Sequence, residues 1–289
     1  MSRNILVTGG SGFIGSHLVD TLVKKKYNVT VLDIVNPKKK KIKFIKSSAL
    51  NFNLLKKITK NIDYIFHLSG VSDITKVKKI PVRTIKNNIL SSTYLLEASR
   101  INFVKRIFFA SSIYAHGSSG NLYTTSKIAT ENIIKNYNLL YGLNYTILRY
   151  ASAYGDNNRG VDVISIFLKK ALKNLNINIH GDGKQTRDFT HAKDLASASV
   201  YSINKKFSNK TLTIGTNKRT KIKDLAKKII KISRSKSKIL IKKKYKRFDD
   251  FDLNKVKKIK NKNYLKFKPY YNLDYGIKEY INKMNRKIK

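Results

Sequence analysis

Thr8-Gly9-Gly10-Ser11-Gly12-Phe13-Ile14-Gly15 follows the apolar run Ile5-Leu6-Val7 and leads into residues 13–25, whose apolar spacing predicts a helix. Gly10-x-Gly12-x-x-Gly15 has the spacing of a dinucleotide-binding turn, and Gly9 adds a second glycine frame. Glycines permit a tight turn and let the backbone approach a pyrophosphate. The helix N-terminus then offers unbonded N–H groups and the positive end of its dipole. The competing reading is a glycine turn with no ligand. Asp33 closes the next predicted strand, residues 28–33. A carboxylate there accepts hydrogen bonds from ribose hydroxyls and repels a 2′-phosphate, so NAD is expected rather than NADP.

Outward from this turn, strand-length apolar runs alternate with helical patterns. Strands are predicted over 3–8, 28–33, 42–46, 62–66, 104–110 and 145–148, and helices over 13–25, 54–60, 85–99 and 123–140. That alternation builds right-handed βαβ units on a parallel sheet covered on both faces. The expected fold is α/β: a Rossmann doubly wound parallel sheet with a smaller C-terminal α/β substrate domain. Residues 1–151 are assigned to the NAD-binding domain. Helices are predicted over 163–175, 194–203 and 222–232, with an amphipathic helix from Leu273 onward. Residues 152–188 and 217–289 are assigned to the substrate domain, with 189–216 folding back onto the first.

The chain has 289 residues and no cysteine, which excludes disulfides, thiol chemistry and cysteine metal sites; no metal site is expected. No signal peptide and no apolar run of membrane-spanning length is read from it, so a cytoplasmic protein without a membrane partner is expected. Lysine and arginine total 61 against 17 acidic residues, a formal charge of +44. Arginine accounts for only 11 of the 61, and asparagine reaches 28. Lysine, asparagine, isoleucine and tyrosine share AT-rich codons, and specific nucleic-acid readout leans on arginine. The charge is therefore read as codon bias, with nucleic acid bound only non-specifically at low salt.

Tyr123 and Lys127 stand four residues apart at the start of a predicted helix, on one face. A free tyrosine has a pKa near 10. A neighbouring ammonium stabilises the phenolate, which suits the tyrosine to acid–base work. Ser111 and Ser112 end the preceding strand, where a hydroxyl can meet a substrate oxygen.

These residues lie in a pattern that resembles the NAD-dependent epimerase/dehydratase family, the extended branch of the short-chain dehydrogenases. The resemblance runs through Thr8 to Leu18, Phe66-His67-Leu68-Ser69-Gly70, Asn88, Leu95-Leu96-Glu97-Ala98, Ser111-Ser112, Tyr123 with Ser126-Lys127, Leu148-Arg149-Tyr150 and Tyr154-Gly155. It is most specific at Gly181-Asp182-Gly183-Lys184-Gln185-Thr186-Arg187-Asp188-Phe189-Thr190-His191, with Asp194 behind it. The resemblance implies Tyr123 as acid/base, Lys127 as its electrostatic partner and a ribose ligand, and Ser112 as a partner in the proton path. It implies that Gly9, Gly12, Phe13, Ile14, Gly15, Asp33, Leu68, Ser69, Gly70, Asn88 and Tyr150 border the cofactor. Ser152, Arg187 and Arg247 are implied to border a nucleotide-sugar substrate, the arginines at its diphosphate. A homodimer is expected, since dimers through a helix pair are usual in that family.

The chain also departs from the family pattern. An aspartate usual after the third strand, at the adenine, is absent from Ser47-Ser48-Ala49-Leu50-Asn51. A usual substrate asparagine is replaced by Ser152, and a usual tyrosine by His116. Ile113-Tyr114 follow Ser112 where dehydratases carry Asp-Glu and decarboxylating relatives a glutamate. The expected reaction is therefore nucleotide-sugar epimerisation of the 4-epimerase type. A nucleotide-ketosugar reductase or dehydrogenase, and a non-catalytic RNA- or polyanion-binding member, stay open as alternatives.

Overall fold

The computed structural model describes residues 2–37, 42–117, 121–157, 160, 162–242 and 264–285. Strands β1 (Asn4–Thr8), β2 (Asn28–Asp33), β3 (Lys43–Lys46), β4 (Tyr64–His67), β5 (Arg106–Ser112) and β6 (Tyr145–Tyr150) lie in the order 3-2-1-4-5-6. Short strands β7 (Ser152–Tyr154), β8 (Ile177–His180) and β9 (Thr186–His191) follow, then β10 (Lys210–Ile214), which returns to pair with β6. All seven strands of this main sheet run parallel. The order reverses between β1 and β4, which opens a ligand crevice at the C-terminal ends of the strands.

Helices α1 (Phe13–Lys24), α2 (Phe52–Ile58), α3 (Ile74–Lys79), α4 (Pro81–Ile85), α5 (Ser91–Ile101) and α6 (Leu122–Tyr141) lie in the first half. Then come α7 (Val163–Ala171), α8 (Ala192–Tyr201), α9 (Ile222–Ser233) and α10 (Leu273–Asn285). The strands are apolar on both sides because helices cover both. Ile5, Val7, Phe66, Phe108 and Leu148 face α1 and α8. Leu6, Ile65, Ile107, Phe109 and Ile147 face α5 and α6. A third core joins α7, α9 and α10 to β8 and β9. Strand β9 pairs with β7 and with β11 (Arg219–Lys221), and β8 with β12 (Ile239–Lys242).

Two differences from the sequence reading matter for the site. The chain is helical through 85–99 as predicted but not regularly so: α4 ends at Ile85, a π-helical turn spans Lys86–Leu90, and α5 continues from Ser91. The small strands β7 to β12 escaped prediction. They are three to six residues long, and all but β7 carry Lys, Arg, Asn or Thr, so their apolar alternation is too brief to stand out. The segment predicted helical over 163–175 ends at Ala171, with Asn174 at positive φ.

Buried histidines pin several of these joints. His67, at the end of β4, accepts from Thr8 Oγ1 through Nδ1 (2.7 Å) and donates from Nε2 to Ser92 Oγ (2.8 Å). Ser92 in turn donates to the Asn88 carbonyl, which fixes that tautomer. His191 stacks on Tyr271 at 3.9 Å and accepts from the Lys193 amide. Burial pushes the His67 imidazole down to about 3, helped by the Lys127 charge. Burial likewise pushes His191 down to about 4, with the Glu279 charge opposing. Both are neutral when folded, and the unfolded chain binds the extra protons. Stability is then complete above about pH 6.5 and is lost as pH falls below it. Urea unfolding at about pH 7 and about pH 5.5 checks this: at the lower pH the chain should be less stable by about 2 kcal/mol, near 1.4 per histidine per pH unit. Equal midpoints and slopes would contradict it.

Candidate active site

The glycine turn sits where β1 meets α1. Gly9 has φ +72°, and a Cβ there would stand 2.6 Å from the Ser69 amide nitrogen, so only glycine lets the turn lie on the end of β4. A Cβ at Gly15 would collide with the Gly9 carbonyl. Gly12 caps α1 without a side-chain hydrogen bond, and no acidic residue occupies the first turn. The N–H groups of Phe13, Ile14 and Gly15 therefore meet no capping side chain. Ser11 Oγ is buried in the same turn with no hydrogen-bond partner among the described residues. An uncapped helix start beside an orphaned hydroxyl fits a diphosphate. Asp33 accepts from the Ser11 amide (3.0 Å) and the Val35 amide (3.1 Å), which ties the end of β2 to the turn. Beyond it, a cavity of about 500 Å³ is lined by Ile34, Ser48, Leu50, Val82, Arg83 and Lys86. Together these features fit an NAD dinucleotide, with a serine in place of a carboxylate at the far end.

Across the crevice, Leu68, Ser69 and Gly70 form the loop after β4. Ser69 Oγ lies 3.1 Å from Thr8 Oγ1. Gly70 has φ +141°, and a Cβ there would press on Asn88 Oδ1. Asn88 lies in the π-helical turn and is buried. Its Oδ1 accepts from the Val71 amide (2.7 Å), and its Nδ2 donates to the Val71 carbonyl (3.0 Å) and Ser126 Oγ (2.9 Å). Both amide protons are committed, so Asn88 shapes the loop rather than presenting free donors to a ligand.

Helix α6 begins at Asn121, whose side chain accepts from the Thr124 amide at 2.8 Å. This cap sets Tyr123 in the first turn, beside Ser112 at the end of β5. Tyr123 is buried with the Ser112 side chain beside it, close enough to ease its ionisation. Burial pushes its phenol up to about 12, against the Ser112 effect. Lys127 is also buried; its Nζ donates to the Ala110 carbonyl (2.8 Å) and lies 5.8 Å from the Tyr123 ring centroid. Burial pulls its ammonium down to about 8, and the Glu131 charge opposes that.

Glu131 follows one turn along α6 and is 1% exposed. It accepts from Ser111 Oγ (2.5 Å), Arg149 Nε (2.9 Å) and Arg149 Nη2 (2.5 Å). Arg149 Nη1 donates to His116 Nδ1 (3.0 Å), so Nε2 carries the proton and donates to Thr213 Oγ1 (2.9 Å). His116 stays neutral, pushed down to about 4 by burial and then by Arg149. The sequence reading singled out His116 but missed this chain, because Glu131 and Arg149 meet only across α6 and β6.

Tyr114 was read only as a missing acid pair, and the structure gives it more. It sits in a 3₁₀ turn, Ile113–His116, edge-on to Tyr123 with ring centroids 6.4 Å apart. Arg187 on β9 donates to its hydroxyl and lies over its ring. Tyr114 thereby bridges Arg187 and Tyr123. Asp188 accepts from the amides of Thr216 and Asn217, and Asp194 from those of Tyr270 and Tyr271. Ser152 starts β7 and pairs with Phe189, two residues from Arg187. Tyr150 differs from expectation. Its side chain is buried on the α8 face with its hydroxyl on Ser199 (2.7 Å), so only its main chain, paired with Ser112, borders the site. Arg247 lies outside the described residues. Among the described residues no group of three or more His, Cys, Asp or Glu could hold a metal ion, and no helix is long and apolar enough to cross a membrane.

Comparison with known proteins gives a consistent picture. A Methanocaldococcus jannaschii protein provisionally assigned as a UDP-glucose 4-epimerase is 37% identical over 244 residues, covering 76% of this chain and 79% of its own. The UDP-N-acetyl-alpha-D-glucosaminuronate decarboxylase of Bacillus cytotoxicus is 30% identical, with 97% of each chain covered. The crystal structure of Thermotoga maritima UDP-glucose 4-epimerase with UDP-glucose superposes with a TM-score of 0.89 at 29% identity, covering 99% of this chain and 100% of its own. The model of the NAD dependent epimerase/dehydratase family matches residues 5–215, and the chain belongs to that family.

Proposed function

We propose that this protein is an NAD-dependent nucleotide-sugar epimerase of the 4-epimerase type. The observation that carries the reading is the buried trio of Ser112, Tyr123 and Lys127, separated only by β4 from a glycine turn whose amides and Ser11 hydroxyl suit a diphosphate. The similarity to a 4-epimerase over the whole chain supports it. So does Tyr114, which stands where dehydration or decarboxylation would need a carboxyl group.

Gly9, Gly12, Gly15, Ser11 and Asp33 would hold the dinucleotide, and Lys127 its nicotinamide ribose. When bound, NAD would supply the hydride acceptor and donor. Without a ligand, Tyr123 is a phenol at neutral pH and Lys127 carries most of its positive charge. The ammonium favours the phenolate, so a sugar hydroxyl bonded to Ser112 and Tyr123 passes its proton along that pair. Glu131 keeps the ammonium charged inside the protein. Arg187 would grip the substrate diphosphate, and Tyr114 orients its guanidinium.

Five outcomes test this. The chain, purified at high salt and denatured, should release about one NAD per protein. An epimerase that recycles its hydride retains its cofactor, whereas no bound nucleotide would point to a reductase with exchanging cofactor. Gly15→Ala should abolish that retention. Tyr123→Phe should leave it intact and lower turnover of a UDP-sugar by about 10²–10⁴-fold; full activity would sink the mechanism. Arg187→Ala should raise KM by about tenfold or more with a smaller effect on kcat, as loss of a charge-assisted contact implies. Tyr114→Phe should fall between it and the wild type, and a larger kcat than KM effect in both would assign Arg187 to the chemistry instead.

A further inference from the structure

The glycine turn and Tyr123 lie at the C-terminal ends of the strands. At the opposite ends, a cleft of about 1090 Å³ opens between the sheet and the last turns of α1 and α8. Its charged lining is Arg3, Lys25, Lys105, Arg106 and Lys205, with no Asp or Glu. Arg106, the first residue of β5, is 6% exposed. Its Nη1 donates to the carbonyls of Asn204 (3.2 Å) and Ser202 (3.5 Å) at the end of α8. Among the described residues its Nε and Nη2 make no hydrogen bond.

Arg106 lies 5.8 Å from the ring centroid of Tyr64, and Arg3 lies 5.1 Å from the same ring. Two guanidiniums thus share one buried tyrosine. Burial holds the Arg106 pKa below the ordinary guanidinium value, Arg3 adds to that, and Tyr64 opposes it. Lys105 pairs with Asp63 at 2.7 Å, and the same carboxylate attracts Arg3, so Arg106 is the cation left without a carboxylate. Buried cations ordinarily meet carboxylates. Arg106 meets only carbonyls and ring faces, which leaves positive charge in a recess. An anion entering from solution would offset the repulsion between Arg3 and Arg106 and accept from the spare guanidinium N–H groups.

We propose that this cleft binds a phosphate-bearing small anion of nucleotide size, with Arg3 and Arg106 as the phosphate ligands and Lys25 and Lys205 at the mouth. Tyr27 and Tyr201 line the same cleft. The cleft is as large as pockets that hold small ligands, about 300–1,000 Å³. It stands independently of the catalytic reading, since it shares no residue with the site at the other edge.

The test is calorimetric titration of the full chain, saturated with NAD, with inorganic pyrophosphate at about 0.15 M salt. Arg3→Gln should weaken binding by about tenfold, the loss expected for one charge-assisted contact. Arg106→Lys, which keeps the charge and removes the fork, should weaken it too. The exposed-surface variant Lys57→Gln should leave it unchanged. Loss with Arg187→Ala but not Arg3→Gln would move the binding to the sugar-nucleotide site and overturn the proposal. Equal small losses in every variant would reduce it to surface charge, and no measurable heat would also overturn it.

Discussion

One buried carboxylate holds the catalytic edge in register. Glu131 takes hydrogen bonds from Ser111 on β5 and from Arg149 on β6 while sitting one helical turn from Lys127. It fixes how far α6 lies from the strand ends, and so where Tyr123 meets Ser112. It also supplies the negative charge that lets an ammonium persist in an apolar layer beside Phe109. Removing one partner of such a buried pair strands the other's charge, at a cost of about 3–5 kcal/mol. Among only 17 acidic residues, this one is spent on aligning the site.

The first half of the fold was legible because its signals are long and reinforce each other. Strands β1, β2, β5 and β6 are near-continuous apolar runs, and the glycine turn announces the crossing from strand to helix. Tyr123, Lys127 and Ser112 were legible by position, at the end of a strand and the start of the next helix. The second half was harder to read. Its strands are brief and lysine-studded, and their pairing joins segments far apart in the chain, as Arg219 with Asp188 or Ile239 with Ile177. The roles of Tyr114, Glu131 and His116 depend on contacts across elements, which spacing along one element does not encode. Tyr150 shows the converse: its place in the motif suggested a ligand contact, while the pleat of β6 sends its ring to the α8 face.

The π-helical turn shows how a local irregularity serves the site. One extra residue per turn at Lys86–Leu90 rotates Asn88 inward, where it bonds both the loop after β4 and Ser126 of α6. A regular helix through the same residues would place that side chain on a different bearing. The loop facing the glycine turn is thus braced by the helix that carries Tyr123.

The return of β10 to the edge of β6 has a consequence for how the chain is made. The partner of Tyr150 is Ile214, and that of Thr146 is Lys210, a delay of about 60 residues. At a synthesis rate of about 5–20 residues per second, β6 waits several seconds on the ribosome with one edge unpaired. That edge is short and carries Thr146 and Arg149, which discourages pairing with a neighbouring nascent chain. Helix α10 comes later still, and Asp194 bonds no amide of Tyr270 or Tyr271 until those residues have been made. The growing chain therefore closes its nucleotide crevice before it closes the lobe opposite.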